Sequence, residues 1–389
     1  MTVTLCANFD GGNIDVVDGT DGRWDLQIRR DKDSDFYQWF SFRVDGARGC
    51  DLELRIVNAG DSAYPDGWPG YRACVSADNA VWERAETSYG DKVLTIRHTP
   101  QDDSVWFAYF APYPSERHEA LIMEFAATPG MRHSVLGASL DGRTMDLLTI
   151  GDGPLRVWLY ARQHPGETMA EWWMEGALAF LSGDDDAAVR LREAATICIV
   201  PNMNPDGSAR GHLRTNAVGV NLNREWHAPS LERSPEVLCV LNEMVRQGVD
   251  FAIDVHGDEA IPHVFMAGFE GIPSFDTAKF AIYQDYLARL AKATRDFQTQ
   301  DGYAIPAPGS ANLTISTNQV AERFGAIAMT LEMPFKDHID NPDPVHGWSP
   351  ERSRTLGLDC CRVLAEMAGE LDGPLFAMSK LRLEGRVRG

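Results

Sequence analysis

The sequence predicts an α/β fold, a mixed sheet flanked by helices, preceded by an antiparallel β-sandwich domain. Three observations predict it. Short segments that alternate apolar and polar residues, separated by turn residues, fill the chain up to about Ala111. Beyond Ala111–Pro114, brief apolar runs alternate with longer helical patterns. The length, 389 residues, exceeds what one compact core usually serves. These divide the chain into an N-terminal sandwich at 1–112, a larger α/β domain at 113–380 and a peripheral tail at 381–389.

In the first domain the predicted strands are 24–29, 39–44, 52–57, 92–97 and 105–110, with Gly, Asp, Asn and Pro clusters between them. Ser115 is placed as the cap of a helix running to about Ala126. A short strand follows at 157–161, then a helix at 168–181 whose packing residues include Trp172 and Trp173. Strands are expected at 196–200, 251–255 and 326–332, and helices at 280–295 and 353–371. There is no internal repeat and no low-complexity segment.

Composition narrows the function. The chain is 44% hydrophobic and 24% charged, as globular domains are, and its net charge of −21 argues against nucleic acid and anionic membrane as partners. The start, MTVTLCANFDGGN, does not read as a signal peptide, and no run approaches the roughly 18 apolar residues of a membrane span. Seven scattered cysteines form no CxxC pair, so free thiols in a reducing cytoplasm are expected.

Chemistry collects where strands end. His164-Pro-Gly-Glu167 follows one strand and precedes a helix, the place where open α/β sheets bind ligands. A His and a Glu three apart in a turn can reach one ion, although an isolated HxxE is a weak signal. The strand 251–255 runs into His256-Gly-Asp258, which offers a third ligand, with Asp254 placed to orient it. Two His and one Glu leave a fourth zinc position open, as catalysis requires. A third strand leads into Pro201–Gly207, followed by Arg214 and by Asn221–Trp226 with Asn223 and Arg224; arginine suits a carboxylate. Glu332 ends an apolar strand, where a carboxylate costs several kcal/mol unless it has a partner or a task.

As an ordered set, HxxE, NPDG, Arg, Asn-Arg, strand-borne His and strand-borne Glu, these residues resemble the zinc carboxypeptidase family across 164–332. The wording His164-Pro-Gly-Glu167, Asn204-Pro-Asp-Gly207 and Asn221-Leu-Asn-Arg-Glu-Trp226, behind a sandwich containing Asn8-Phe-Asp-Gly-Gly-Asn-Ile14, is similar to its cytosolic, deglutamylase-like branch. The second histidine motif departs from many members of that branch.

The resemblance implies a zinc-carboxypeptidase-like sheet and one Zn2+ on His164, Glu167 and His256. It implies Glu332 as base, Arg214 facing the oxyanion, and Asn223 and Arg224 holding the α-carboxylate of a peptide or protein C-terminus. The family's substrate-capping tyrosine has no counterpart between 304 and 331; Tyr303 is the nearest candidate. Glutamate preference would need a cation in the side-chain pocket, for which Arg210, Arg323 and Lys336 are available. Alternatives sharing the zinc core are a deacylase of N-acyl amino acids of the aspartoacylase or desuccinylase type, and an amidase trimming murein peptides. A different class is a non-catalytic binding protein on the same fold. For the sandwich, bracing of the larger domain is the expectation.

Overall fold

The computed structural model describes residues 3–20 and 22–371; the expected tail at 381–389 lies outside the described residues, as does the end of the 113–380 domain. The N-terminal region folds as two five-stranded sheets. One runs in the order Thr4–Cys6, Ser41–Asp45, Ser104–Ala108, Cys74–Ser76, Glu83–Arg84. The other runs Asp15–Thr20, Arg23–Gln27, Leu52–Ile56, Val93–His98, Glu86–Gly90. All pairings are antiparallel except that between Arg23–Gln27 and Leu52–Ile56, which is parallel. The period of two does what it must: Leu52, Leu54, Ile56, Leu94, Ile96, Phe42, Val44, Val105 and Phe107 are all buried.

The second region is built on a seven-stranded sheet. Its order is Arg132–Ala138, Thr144–Ile150, Ala195–Val200, Leu155–Ala161, Phe251–Asp258, Ile327–Pro334, Phe265–Ala267. The four strands from Ala195–Val200 to Ile327–Pro334 are mutually parallel, Thr144–Ile150 and Phe265–Ala267 flank them antiparallel, and Arg132–Ala138 pairs antiparallel with Thr144–Ile150. Those four are buried almost throughout, which is why they read as continuous apolar runs rather than alternating ones. Helices Met169–Ser182 and Pro350–Leu371 meet backbone to backbone. A Cβ on Gly176 would sit 1.9 Å from Arg354 O, and one on Gly357 would sit 2.2 Å from Trp173 O, so only glycine permits the approach.

Several expectations need adjustment. Ser115 is the first residue of helix Ser115–Ala126, not its cap. The capping carboxylate comes from the sandwich: Asp10 accepts from Ser115 N (2.6 Å) and Ser115 Oγ (3.0 Å). The turn expected at 201–207 passes into helix Pro205–Arg210, with Asn204 accepting from Gly207 N. The helix expected at 280–295 is Thr277–Ala293, because Asp276 caps it at Ala278 N and Lys279 N. Helices Asp186–Ala194, Pro235–Gln247 and Ser316–Phe324 and strands Arg132–Ala138 and Thr144–Ile150 come in addition to the predicted elements. All seven cysteines are free, and no described helix is long and apolar enough to cross a membrane.

Candidate active site

Because the four central strands are parallel, their carboxyl ends lie on one edge of the sheet, and the loops leaving that edge carry the polar residues. His164 and Glu167 occupy the connection from Leu155–Ala161 to Met169–Ser182. Arg162 turns that connection sharply with φ of 59°. Its guanidinium donates to Pro165 O (3.0 Å), Tyr113 O (2.7 Å) and the buried Glu171 carboxylate (2.6 Å), which fixes the loop.

Three residues with metal-ligating atoms converge here. His164 Nδ1 lies 2.6 Å from Glu167 Oε1, His256 Nδ1 lies 2.7 Å from Glu167 Oε2, and the two Nδ1 atoms are 3.1 Å apart. All three residues are buried. The far side of each ring is occupied: His164 Nε2 is 3.1 Å from Asn221 Oδ1, and His256 Nε2 is 2.9 Å from Asp254 Oδ1. The Asn221 oxygen holds the His164 ring proton on Nε2 and turns its Nδ1 lone pair inward, and the Asp254 carboxylate lies against the outer edge of the His256 ring. Two lone pairs and a carboxylate this close repel one another unless a cation stands among them. The donor set, two imidazole nitrogens and one carboxylate with its outer atoms tied, fits a zinc ion with an open position.

The two rings differ electrostatically. Burial, with Arg214 nearby, pushes the His164 imidazole down to about 3, so the ring is neutral. Against burial, Asp254 and Glu167 push the His256 imidazole well up. Against burial again, His164 and His256 hold the Glu167 carboxyl well below the carboxylate range. A second cluster, His263, His338 and Asp340, also brings three donor residues together. There the Asp340 amide donates to His338 Nδ1 (3.2 Å), which leaves the ring proton on Nε2 and removes that nitrogen as a ligand.

Glu332 stands next to His256 on the adjoining strand. Its Oε1 accepts from Tyr303 Oη (3.0 Å), while its buried Oε2 has no partner among the described residues. Tyr303 Oη also lies 2.7 Å from Asp258 Oδ2. One hydroxyl proton thus serves two carboxylates. Burial pushes the Glu332 carboxyl well up, with Glu167 and Asp258 adding and His256 opposing.

Two cations lie near Tyr303, the partner of Glu332. Arg214 and Arg224 have no carboxylate within ion-pair distance among the described residues. Arg214 lies near Tyr64, Glu167, Glu259 and Tyr303, which raise its guanidinium against the pull of burial. Asn223 is buried, and its Oδ1 accepts from Ser316 N (2.8 Å), leaving its amide NH2 to donate. Arg224 Nη1 donates to Asn223 O (2.6 Å).

The fold therefore brings together all eight residues singled out in the sequence. It does not bring in two of the three basic pocket candidates: Arg210 is taken by Asp141 (2.9 Å through Nε and through Nη2), and exposed Arg323 lies 6.0 Å from the Phe324 ring centre. Lys336 donates to Asp66 O (3.3 Å), with Asp258 its nearest acidic neighbour of the larger domain. Gln163 was missed. It accepts from Trp226 Nε1 (2.7 Å) and donates to Asp254 Oδ2 (2.6 Å), setting the carboxylate behind His256. Its position beside His164 was the available signal.

Residues 5–110 match the model of the cytosolic carboxypeptidase N-terminal domain, and residues 119–259 match that of zinc carboxypeptidase. A Zymomonas mobilis protein is 58% identical over 95% of this chain and 98% of its own length. The solved structure of a metallo-carboxypeptidase from Pseudomonas aeruginosa, in complex with (2-guanidinoethylmercapto)succinic acid, is 46% identical. It superposes with a TM-score of 0.92 over 95% of this chain and 100% of that one. Human cytosolic carboxypeptidase 1 is 29% identical over 67% of this chain, which spans 26% of that larger protein.

Proposed function

From the premise that this chain belongs to the zinc carboxypeptidase family, with the N-terminal domain of its cytosolic branch at 5–110, we propose that it removes the C-terminal residue of peptides or proteins. Under this reading the chain divides near 112, and the activity is cytoplasmic. The observation that supports it best is the convergence of His164, Glu167 and His256 beside the Glu332 carboxyl and opposite two unpaired arginines.

His164, Glu167 and His256 would hold the ion. A zinc bound there supplies Lewis acidity, making a coordinated water acidic enough to lose a proton near neutrality. Glu332 accepts that proton and later gives it to the leaving amine, and its high pKa suits the second task. Arg214 faces the negative charge that develops on the scissile carbonyl oxygen. Asn223 Nδ2 and the Arg224 guanidinium bind the free α-carboxylate, so an internal peptide bond lacks the group that is recognised. Tyr303, bonded to Glu332, sits over the bound residue. Of the basic candidates, Lys336 lies near Asp258 and can turn its remaining N–H groups to an acidic side chain, which is the physical basis offered for glutamate preference.

The test is a digest of a peptide library, read by mass spectrometry with and without a zinc chelator, beside a panel of N-acyl amino acids. Chelator-sensitive stepwise loss from C-termini is expected. Cleavage of the acyl panel alone would make the chain a deacylase.

A further inference from the structure

The Asn8–Ile14 motif and the loop after it are not used by any chemical step above, yet they touch the loop that carries Arg214. Gly11 N donates to Ala209 O (2.9 Å), and Asn13 Nδ2 donates to Gly211 O (2.8 Å). Gly211 adopts φ of 67°, and a Cβ there would lie 2.8 Å from Gly11 O. Lys32 N donates to His212 Nε2 (3.1 Å).

Asp31 makes the main contact. It is 2% exposed, and it has no cationic partner at ion-pair distance among the described residues. Its carboxylate instead accepts from three successive amides, Leu213 N (2.7 Å), Arg214 N (2.8 Å) and Thr215 N (2.9 Å), and from Thr215 Oγ1 (3.0 Å). A buried carboxylate spent on backbone amides fixes that backbone strongly, because any movement leaves an unsolvated charge. Asp31 N in turn donates to Phe36 O (2.8 Å), closing the loop that carries Phe36.

Side chains of the same domain hold the guanidinium itself. Arg214 Cζ lies 5.6 Å from the Phe36 ring centre and 5.4 Å from that of Tyr64, within cation–π range. Tyr64 is gripped on both sides by buried Gln38, which accepts from Tyr64 N (2.8 Å) and donates to Tyr64 O (3.1 Å).

We infer that the N-terminal domain aims Arg214: Asp31 fixes its backbone and Phe36 and Tyr64 fix its guanidinium, making all three positioning residues for the oxyanion cation. The role of the cation rests on the carboxypeptidase reading; its restraint by the sandwich does not.

The experiment compares wild type, Asp31→Ala, Arg214→Ala, their double variant, Tyr64→Leu and Tyr64→Phe as full chains. It reads kcat and KM on a C-terminal peptide, bound zinc, and the Arg214 Nε–H resonance, assigned by its absence in Arg214→Lys. Misplacing a catalytic group by about 1 Å costs on the order of 100-fold, so Asp31→Ala should lower kcat by about that factor with zinc retained. In the Arg214→Ala background the same change should add less than about twofold, since residues acting through one group are non-additive. Tyr64→Leu should lower kcat by about 5-fold, one cation–π contact's worth; Tyr64→Phe, which keeps the ring, should recover most of it. Both Asp31→Ala and Tyr64→Leu should shift the Arg214 resonance. An unmoved resonance, or independent multiplication of the Asp31 and Arg214 effects, would overturn the inference. If Asp31→Ala does not fold, the Tyr64 pair decides. An inactive wild type with a resonance that moves as described would sink the carboxypeptidase reading and leave this one standing.

Discussion

His256 and Glu332 are register partners on neighbouring parallel strands, so the proposed third ligand and the proposed base project side by side from the same face of the sheet. A slip of one residue would send one of them to the opposite face. This pairing makes separate consequences predictable for the two residues.

Glu332→Gln keeps the shape of the side chain but cannot take a proton. The expected result is a loss of kcat on the order of 100- to 10,000-fold with zinc content unchanged, checked by steady-state kinetics and metal analysis on the same sample. Full activity would assign the proton transfer elsewhere.

Arg214 and Arg224 should fail differently. Loss of a group that acts only in the transition state lowers kcat, whereas loss of one that binds substrate uniformly raises KM. Arg214→Ala is expected to lower kcat by at least about 100-fold. Arg224→Ala should mainly raise KM, and should weaken discrimination against peptides with amidated C-termini. The reverse split would exchange their roles.

Asp254 touches no substrate, yet it orients His256, with Gln163 and Trp226 behind it. Replacing such an outer partner typically costs 10- to 100-fold in metal affinity. Asp254→Ala should show this in a competition titration with a chelator. Activity at saturating zinc should recover far more than affinity does.

Away from the edge, His118 links two buried acids, Glu171 (2.5 Å from Nδ1) and Asp146 (3.4 Å from Nε2). Against burial, Glu171 and Asp146 raise its imidazole to about 9, from an unperturbed 6.5. A pKa raised on folding adds stability that is fully present below about pH 6.5 and is lost as pH rises through about 9. Urea unfolding should show a decline across that window of roughly 3 kcal/mol at most. In His118→Gln the decline should flatten. An unchanged slope would remove His118 as its source.

Much of this protein is legible in its residues. Alternation marked the sandwich, because its inner faces bury every second residue. Continuous apolar runs marked the central strands, because both of their faces are covered. His164, Glu167, His256 and Glu332 were legible because each sits at or just past a strand end, where short-range order fixes position. Elements with weak apolar contrast were not: Arg132–Ala138 is an exposed edge strand, and Ser316–Phe324 is buried although its first four residues are polar. Charge alone could not sort the three basic pocket candidates, since Asp141, 69 residues away in sequence, decides the fate of Arg210.

The sequence by itself determined local facts: that the strongly patterned segments are strands, roughly where they end, and the order of His164, Glu167, Arg214, His256 and Glu332 along the chain. Only the tertiary structure decided how those ends meet. Parallel register set His256 beside Glu332, Asn221 and Asp254 came to the outer edges of the two histidine rings, and Asp31, 183 residues before Arg214, took hold of its backbone. Such contacts join distant segments, and periodicity, which reports burial within one segment, carries no trace of them.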